Sequence, residues 1–225
     1  MNDVLFGDDL IKILLVLVLG TAALIITQRS LTSLFSIYAA QSAVLAAIAL
    51  VLFAREGTSS LIFMAILTVL SKVIVIPIFL RRLLAVMPIK RDLEFRYLTP
   101  IGSIILSTVL LFVVYQAFSA LSAALEVSRL FILGAVIGVS LALMGMMVIM
   151  SRRKVVTKII GYLSMENGVL LFSLFMAEMP LVIEVLIVVD LLMIIVLSAV
   201  LAFGIDSSVE AFHKRLSQLG LESED

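Results

Sequence analysis

The sequence predicts an all-α integral membrane protein of about seven transmembrane helices. Three observations carry this reading. Of the 225 residues, 63% are apolar and the mean hydropathy is +1.29, whereas soluble domains hold about 45–50% apolar residues. The apolar residues fall into runs of spanning length, about 10–28, 31–53, 59–80, 99–119, 129–150, 157–177 and 179–205. The basic residues gather between alternate runs. Lipid cannot satisfy exposed backbone groups, so each run is expected to be helical.

The first run, 10–28, follows the acidic start MNDVLFGDD. A secretory signal begins with basic residues, so this run is expected to be retained as a span. The second, 31–53, has Gln41 at its middle. The third, 59–80, contains Lys72, five residues before Pro77. Proline removes a helical hydrogen bond and frees a carbonyl near Lys72, which predicts a kink. Two readings of Lys72 stand: an ionic station inside the bilayer, or a side chain snorkelling toward Arg81. The nine residues between them span about 13 Å of helix, which favours the interior.

The fourth run, 99–119, ends near Tyr115 and Gln116, placed to face headgroups. The fifth, 129–150, holds Gly134 and Gly138, a small-xxx-small face that predicts close helix packing. Its MGMMVIM stretch at 144–150 reads as core filler.

The last two runs form a hairpin turned at Glu178-Met179-Pro180 and carry Glu166, Glu184 and Asp190. A carboxylate at the bilayer centre costs about 2.5–3.5 kcal/mol on insertion scales, so it persists where it has a partner, water or a job. At the rise of an α-helix, Glu166 lies about 13 Å from one surface and Asp190 about 16 Å from the other, nearly level. Glu184 lies nearer the surface. Asn167 is placed to hydrogen-bond the acid, and Gly168 to admit a neighbour or water. A fold-locking salt bridge between Lys72 and a buried acid is the structural alternative.

Seven alternating spans put Arg29, Arg81, Arg82, Lys90, Arg91, Arg96, Arg152, Arg153, Lys154 and Lys158 on one side. The positive-inside rule then places the N-terminus outside and the C-terminus in the cytoplasm, in a cytoplasmic membrane. Arg29 precedes Gln41 by the same 12 positions that separate Lys154 from Glu166. With Lys72 and Asp190 following, this spacing reads as two three-helix repeats joined by one helix. The spanning domain is 1–206. In the tail, 207–225, Ser207 and Glu210 form a capping-box pattern, and Val209, Phe212, Leu216 and Leu219 follow at helical spacing. An amphipathic helix on the cytoplasmic surface is expected there, with His213 solvated.

The chain has no Cys, and its one His is His213. Cys-ligated iron–sulfur clusters are excluded from it, and no haem or metal is expected. No Walker or dinucleotide glycine pattern is present. With a net charge of zero, nothing suggests nucleic acid. The driving force must come from an ion gradient or a partner.

The stretch IGYLSMENGVLLF with the later MPLVIEVLIVVDLL resembles the hydrogenase-4 component E family, membrane subunits of hydrogenase and formate hydrogenlyase complexes. That family is similar to the K subunit of respiratory complex I and the C subunit of multisubunit sodium/proton antiporters. The likeness is greatest over 150–206, with 154–206 as the K-subunit-like hairpin. The K subunit carries two membrane glutamates on its proton pathway. Asp190 matches the second. Strict alignment puts the first on Leu163, and Glu166 lies about one helical turn later. The resemblance implies a non-catalytic subunit that helps translocate protons, with antiporter-like and complex-I-like membrane subunits and a peripheral redox arm as partners. Iron–sulfur and nickel–iron centres would belong to those partners. The expected pathway residues are Lys72, Glu166, Glu184 and Asp190, with Gln41 and Asn167 assisting. A stand-alone proton- or sodium-coupled transporter is the alternative.

Overall fold

The computed structural model describes residues 2–86, 99–122, 128–152 and 155–175, with the pairs 188–189, 192–193 and 195–196. The predicted seventh run, including Glu184 and Asp190, and the tail helix fall outside the described residues apart from those pairs. Among the described residues there is helix and no strand: α1 (Asn2–Thr27), α2 (Leu31–Glu56), α3 (Ser59–Thr68), a π-helical stretch (Val69–Val75), α4 (Ile76–Val86), α5 (Pro100–Ser122), α6 (Arg129–Ser151) and α7 (Val155–Phe175).

Among the described residues, five helical stretches are long and apolar enough to cross a membrane: Gly7–Thr27, Leu31–Glu56, Ser59–Ala85, Pro100–Ala120 and Arg129–Ser151. This is a multi-pass membrane protein. At 21 residues α7 also has spanning length. Its Glu166 and Asn167 lower its apolar character at mid-length, and both are buried by neighbouring helices.

The element ends follow local chemistry. Gly57 takes a left-handed φ of 69°, and its N–H bonds to Phe53 O at 2.8 Å, closing α2. Ser128 caps α6, its Oγ accepting from the Phe131 N–H at 3.3 Å. In the third span, Pro77 has no N–H and its ring crowds the carbonyl four residues back. The chain answers with a wide turn: the Ile76 N–H bonds to Ser71 O, five residues back. The predicted disturbance near Lys72 is therefore a π-helical stretch, a form often found at functional sites.

Alternating spans define two ends. At one, Asp8 of α1 pairs with Arg55 of α2. At the other, buried Arg152 donates from Nη2 to Ile26 O at 2.7 Å and to Gln28 O at 3.2 Å. There also, Arg81 Nη2 donates to Ser36 Oγ at 3.1 Å. Arg29, Arg82 and Lys158 belong to this Arg152 end too. For these residues it is the predicted grouping; Lys90, Arg91, Arg96, Arg153 and Lys154 lie outside the described residues.

Among the described helices α6 and α7 share the most extensive interface. Glycines make it. A Cβ on Gly138 would sit 2.7 Å from the Phe172 backbone N, and one on Gly168 would sit 2.6 Å from Gly138 O. Atoms cannot approach that closely, so only glycine allows the two backbones to nest. The close packing predicted for Gly134 and Gly138 is thus found, with α7 as the partner. Of the methionine cluster, Met144 and Met147 are buried, whereas Met146 and Met150 face outward.

Candidate functional site

Midway along the spans, three helices bring polar side chains together. Lys72 lies at the centre of the Ser59–Ala85 span, on the π-helical stretch. Its Nζ is 3.0 Å from Glu166 Oε1 on α7. The lysine side chain is wholly buried and the glutamate 4% exposed. Snorkelling toward Arg81 is therefore not what Lys72 does. An unpaired charge at this depth would be very costly, and each of these two compensates the other.

Beside the pair lies a hydrogen-bonded amide cluster between α2 and α7. Asn167 Nδ2 donates to Gln41 Oε1 at 3.2 Å and to Ser42 Oγ at 3.1 Å. Ser164 Oγ donates to the same Gln41 Oε1 at 3.3 Å. All four residues are buried. Asn167 was expected to serve the acid. It serves Gln41 instead, because successive helix residues are turned by about 100°. Glu166 faces Lys72, while its neighbour in sequence faces α2. Gly168, expected to admit water or a neighbour, lies against the α6 backbone.

Of the six residues singled out from sequence, Lys72 pairs with Glu166 and Gln41 with Asn167. Glu184 and Asp190 lie outside the described residues. Ser42 and Ser164 belong to the cluster and were not foreseen. Their signal was available: Ser42 adjoins Gln41, and Ser164 precedes Asn167 by three residues, one helical face. Serines in apolar helices ordinarily bond their own preceding turn, as Ser107 does to Ser103 O at 2.7 Å.

Among the described residues, Gln41 Nε2, Asn167 Oδ1 and Ser140 Oγ are buried without a hydrogen-bond partner. Fully buried polar atoms without partners are uncommon, and polar sites of this kind take up water. Among the described residues no group of three His, Cys, Asp or Glu side chains is placed to hold a metal ion. The arrangement suits proton exchange and ion pairing. It offers an acid, an ammonium group and amides able to donate and accept, at mid-depth.

Outside the spans, Arg152 was read from sequence only as a topology charge. Burial pushes its guanidinium down to about 10, still well above neutrality. It remains a cation, held by carbonyls at the end of α1.

Comparison with protein-family models, with curated proteins and with solved structures finds no match to this chain.

Proposed function

We propose that this chain is a membrane subunit of a complex-I-like, redox-driven ion-translocating assembly, of the membrane-bound nickel–iron hydrogenase or formate hydrogenlyase type. In it the chain carries part of a proton path. The observation that supports this most is the buried Lys72–Glu166 pair with the Gln41–Asn167 amides beside it, midway along three spans. Buried charged groups inside a membrane protein are expensive and mark ion pathways. The likeness of the 150–206 stretch to hydrogenase-4 component E gives the pathway its setting.

In this reading Glu166 takes up and releases the proton. Lys72, 3.0 Å away, stabilises the carboxylate when the proton leaves. Gln41 and Asn167 orient water around the acid. Glu184 and Asp190 continue the path. Electrons stay in partner subunits that hold the iron–sulfur and nickel–iron centres. The Arg152 end, with its basic residues, faces the cytoplasm of a cytoplasmic membrane, and the N-terminus lies outside.

The test is proton pumping by the intact assembly carrying Glu166→Gln and Asp190→Asn. Pumping should vanish while the subunits still co-purify. Unimpaired pumping in the double variant would sink the proposal. A pull-down in mild detergent checks the setting: recovery with antiporter-like and metal-bearing subunits is expected, and recovery of the chain alone points to a stand-alone transporter.

A further inference from the structure

Three described cations lie toward the end of the molecule opposite Arg152: Lys12, Arg55 and Arg129. Two of them are matched. Lys12 Nζ is 2.8 Å from Asp9 Oδ1, and Arg55 pairs with Asp8. Among the described residues no acid lies within ion-pair distance of Arg129, the first residue of α6. The rule that gathers basic residues at the Arg152 end supplies no reason for an unmatched cation here.

Arg129 lines a cavity of about 450 Å³ between α5 and α6. Ligand pockets hold about 300–1,000 Å³, so this one is of useful size. Tyr115 and Ser119 line it from α5, and Ile132, Leu133 and Val136 from α6. These groups are sorted by depth. Arg129 opens the Arg129–Ser151 span, and Ser119 lies beside the last residue of the Pro100–Ala120 span. Tyr115, half-exposed, comes about one turn inward of Ser119. Val136, 3% exposed, lies seven residues along α6 from Arg129, about 10 Å deeper. The mouth is therefore cationic and hydroxylic, and the floor is aliphatic. The most apolar stretch of α5 is only 17% buried, so this wall of the cavity stands at the lipid boundary.

We infer that this cavity holds an anionic phospholipid from the leaflet at the Asp8–Arg55 end, its phosphate on Arg129 and the start of an acyl chain over Ile132, Leu133 and Val136. The planar guanidinium offers paired N–H groups that match two phosphate oxygens. A tyrosine at headgroup depth donates its O–H there and keeps its ring in the apolar part. Net charge selects the lipid. A phosphodiester without a cation of its own neutralises Arg129, whereas a zwitterionic headgroup brings an ammonium to a site that is already positive. The site is separate from the Lys72–Glu166 pair, and its assignment does not depend on the proton-path reading.

The chain contains no tryptophan, so a single introduced indole reports cleanly. Leu133→Trp puts the indole on the cavity wall. Ile13→Trp, at an exposed position of α1 toward the same end, reads ordinary surrounding lipid. The full-length chain is reconstituted in vesicles of phosphatidylcholine and phosphatidylglycerol, with bromine on the acyl chains of one lipid or the other. Bromine quenches an indole that it touches, so the two quenching curves together give the relative affinity. Native mass spectrometry of the full-length chain with Leu133 intact, offered the same two lipids in mild detergent, gives a second reading that no indole can disturb.

Phosphatidylglycerol should be preferred about fivefold at Leu133→Trp, the scale of one basic residue at a charged membrane surface, and not at Ile13→Trp. Arg129→Gln should abolish the preference in both measurements, and Arg129→Lys should keep part of it. Inorganic phosphate in excess should leave it intact. Equal retention of the two lipids by the chain with Leu133 intact overturns the inference, and so does a preference that survives Arg129→Gln. Quenching of Leu133→Trp by neither lipid overturns it as well, because protein then covers the cavity. Displacement of phosphatidylglycerol by inorganic phosphate would assign the mouth to a bare anion and overturn the lipid. Neither measurement involves proton flux, so a Glu166→Gln assembly that still pumps defeats the proton-path reading and leaves this site standing.

Discussion

α5 and α6 are both 23 residues long and both strongly apolar. Yet the most apolar stretch of α6 is 61% buried and that of α5 only 17%. Composition does not separate them; the spacing of small residues does. α6 presents Gly134, Gly138 and Gly145 along one face, and α7 answers with Gly161 and Gly168. α5 keeps large side chains such as Ile101, Ile105, Phe112 and Val113 on the outside. In lipid an exposed leucine gains almost nothing by being buried against another helix, so hydrophobicity cannot sort helices into core and rim. Close backbone approach and polar pairing do that sorting.

The strongest way to break this contrast is Gly168→Leu. Its Cβ would meet Gly138 O at 2.6 Å, a backbone atom that cannot step aside. Overpacking of this kind should cost about 3 kcal/mol or more. Thermal melting in detergent should show a large fall or no folded protein.

Next in size is the ion pair. Lys72→Met leaves Glu166 buried without its cation, and removing one partner of a buried pair costs about 3–5 kcal/mol. Adding Glu166→Gln should restore most of the loss, as a double-mutant cycle would read. Equal stability of all three variants would mean that packing alone places the third span.

Arg152→Gln should cost about 1.5–3 kcal/mol, the scale of hydrogen bonds to a charged group. Its pH signature has a definite sign. The folded guanidinium titrates at about 10, below its ordinary value. Between those values the unfolded chain holds more protons, so raising pH through that range favours folding. Below it both states keep the proton, and melting of the parent protein should show no slope from this residue between about pH 6 and 9.

The smallest effect belongs to the rim. Ile105→Val or Phe112→Leu on the outer face of α5 should change stability by no more than about 0.5 kcal/mol. A larger loss would show that this face packs against something other than lipid.

Much of the architecture was legible in the sequence. Hydropathy located the five described spanning stretches and α7, with most ends within about five residues. α1 begins at Asn2, well before the predicted run at 10–28, because bilayer thickness sets the length of a span and not how far its helix continues beyond the lipid. The basic residues placed the turns around Arg29 and Arg152 at one end, and a backbone-donating Arg152 Nη2 now joins them. Lys72 and Glu166 stood out because charge inside a span is costly, and their mutual pairing was one of two readings. What could not be read was facing. Asn167 follows Glu166 directly, yet its amide meets Gln41 on another helix. Ser42, Ser140 and Ser164 passed as ordinary small residues, since their part depends on which helix lies opposite. Pro77 announced a break, but not that the chain would widen into a π-helical stretch.

The glycine contacts between α6 and α7 also have a mechanical consequence. Two helices whose backbones touch at Gly138 and Gly168 cannot slide or roll past one another without a clash, so they move as a single plate. Glu166 is fixed to that plate. Lys72 rides on a stretch whose turn is already wide. Any change in the gap between the two charges must therefore come from the lysine's span, which makes the α6–α7 plate the stator and the Val69–Val75 turn the compliant spring.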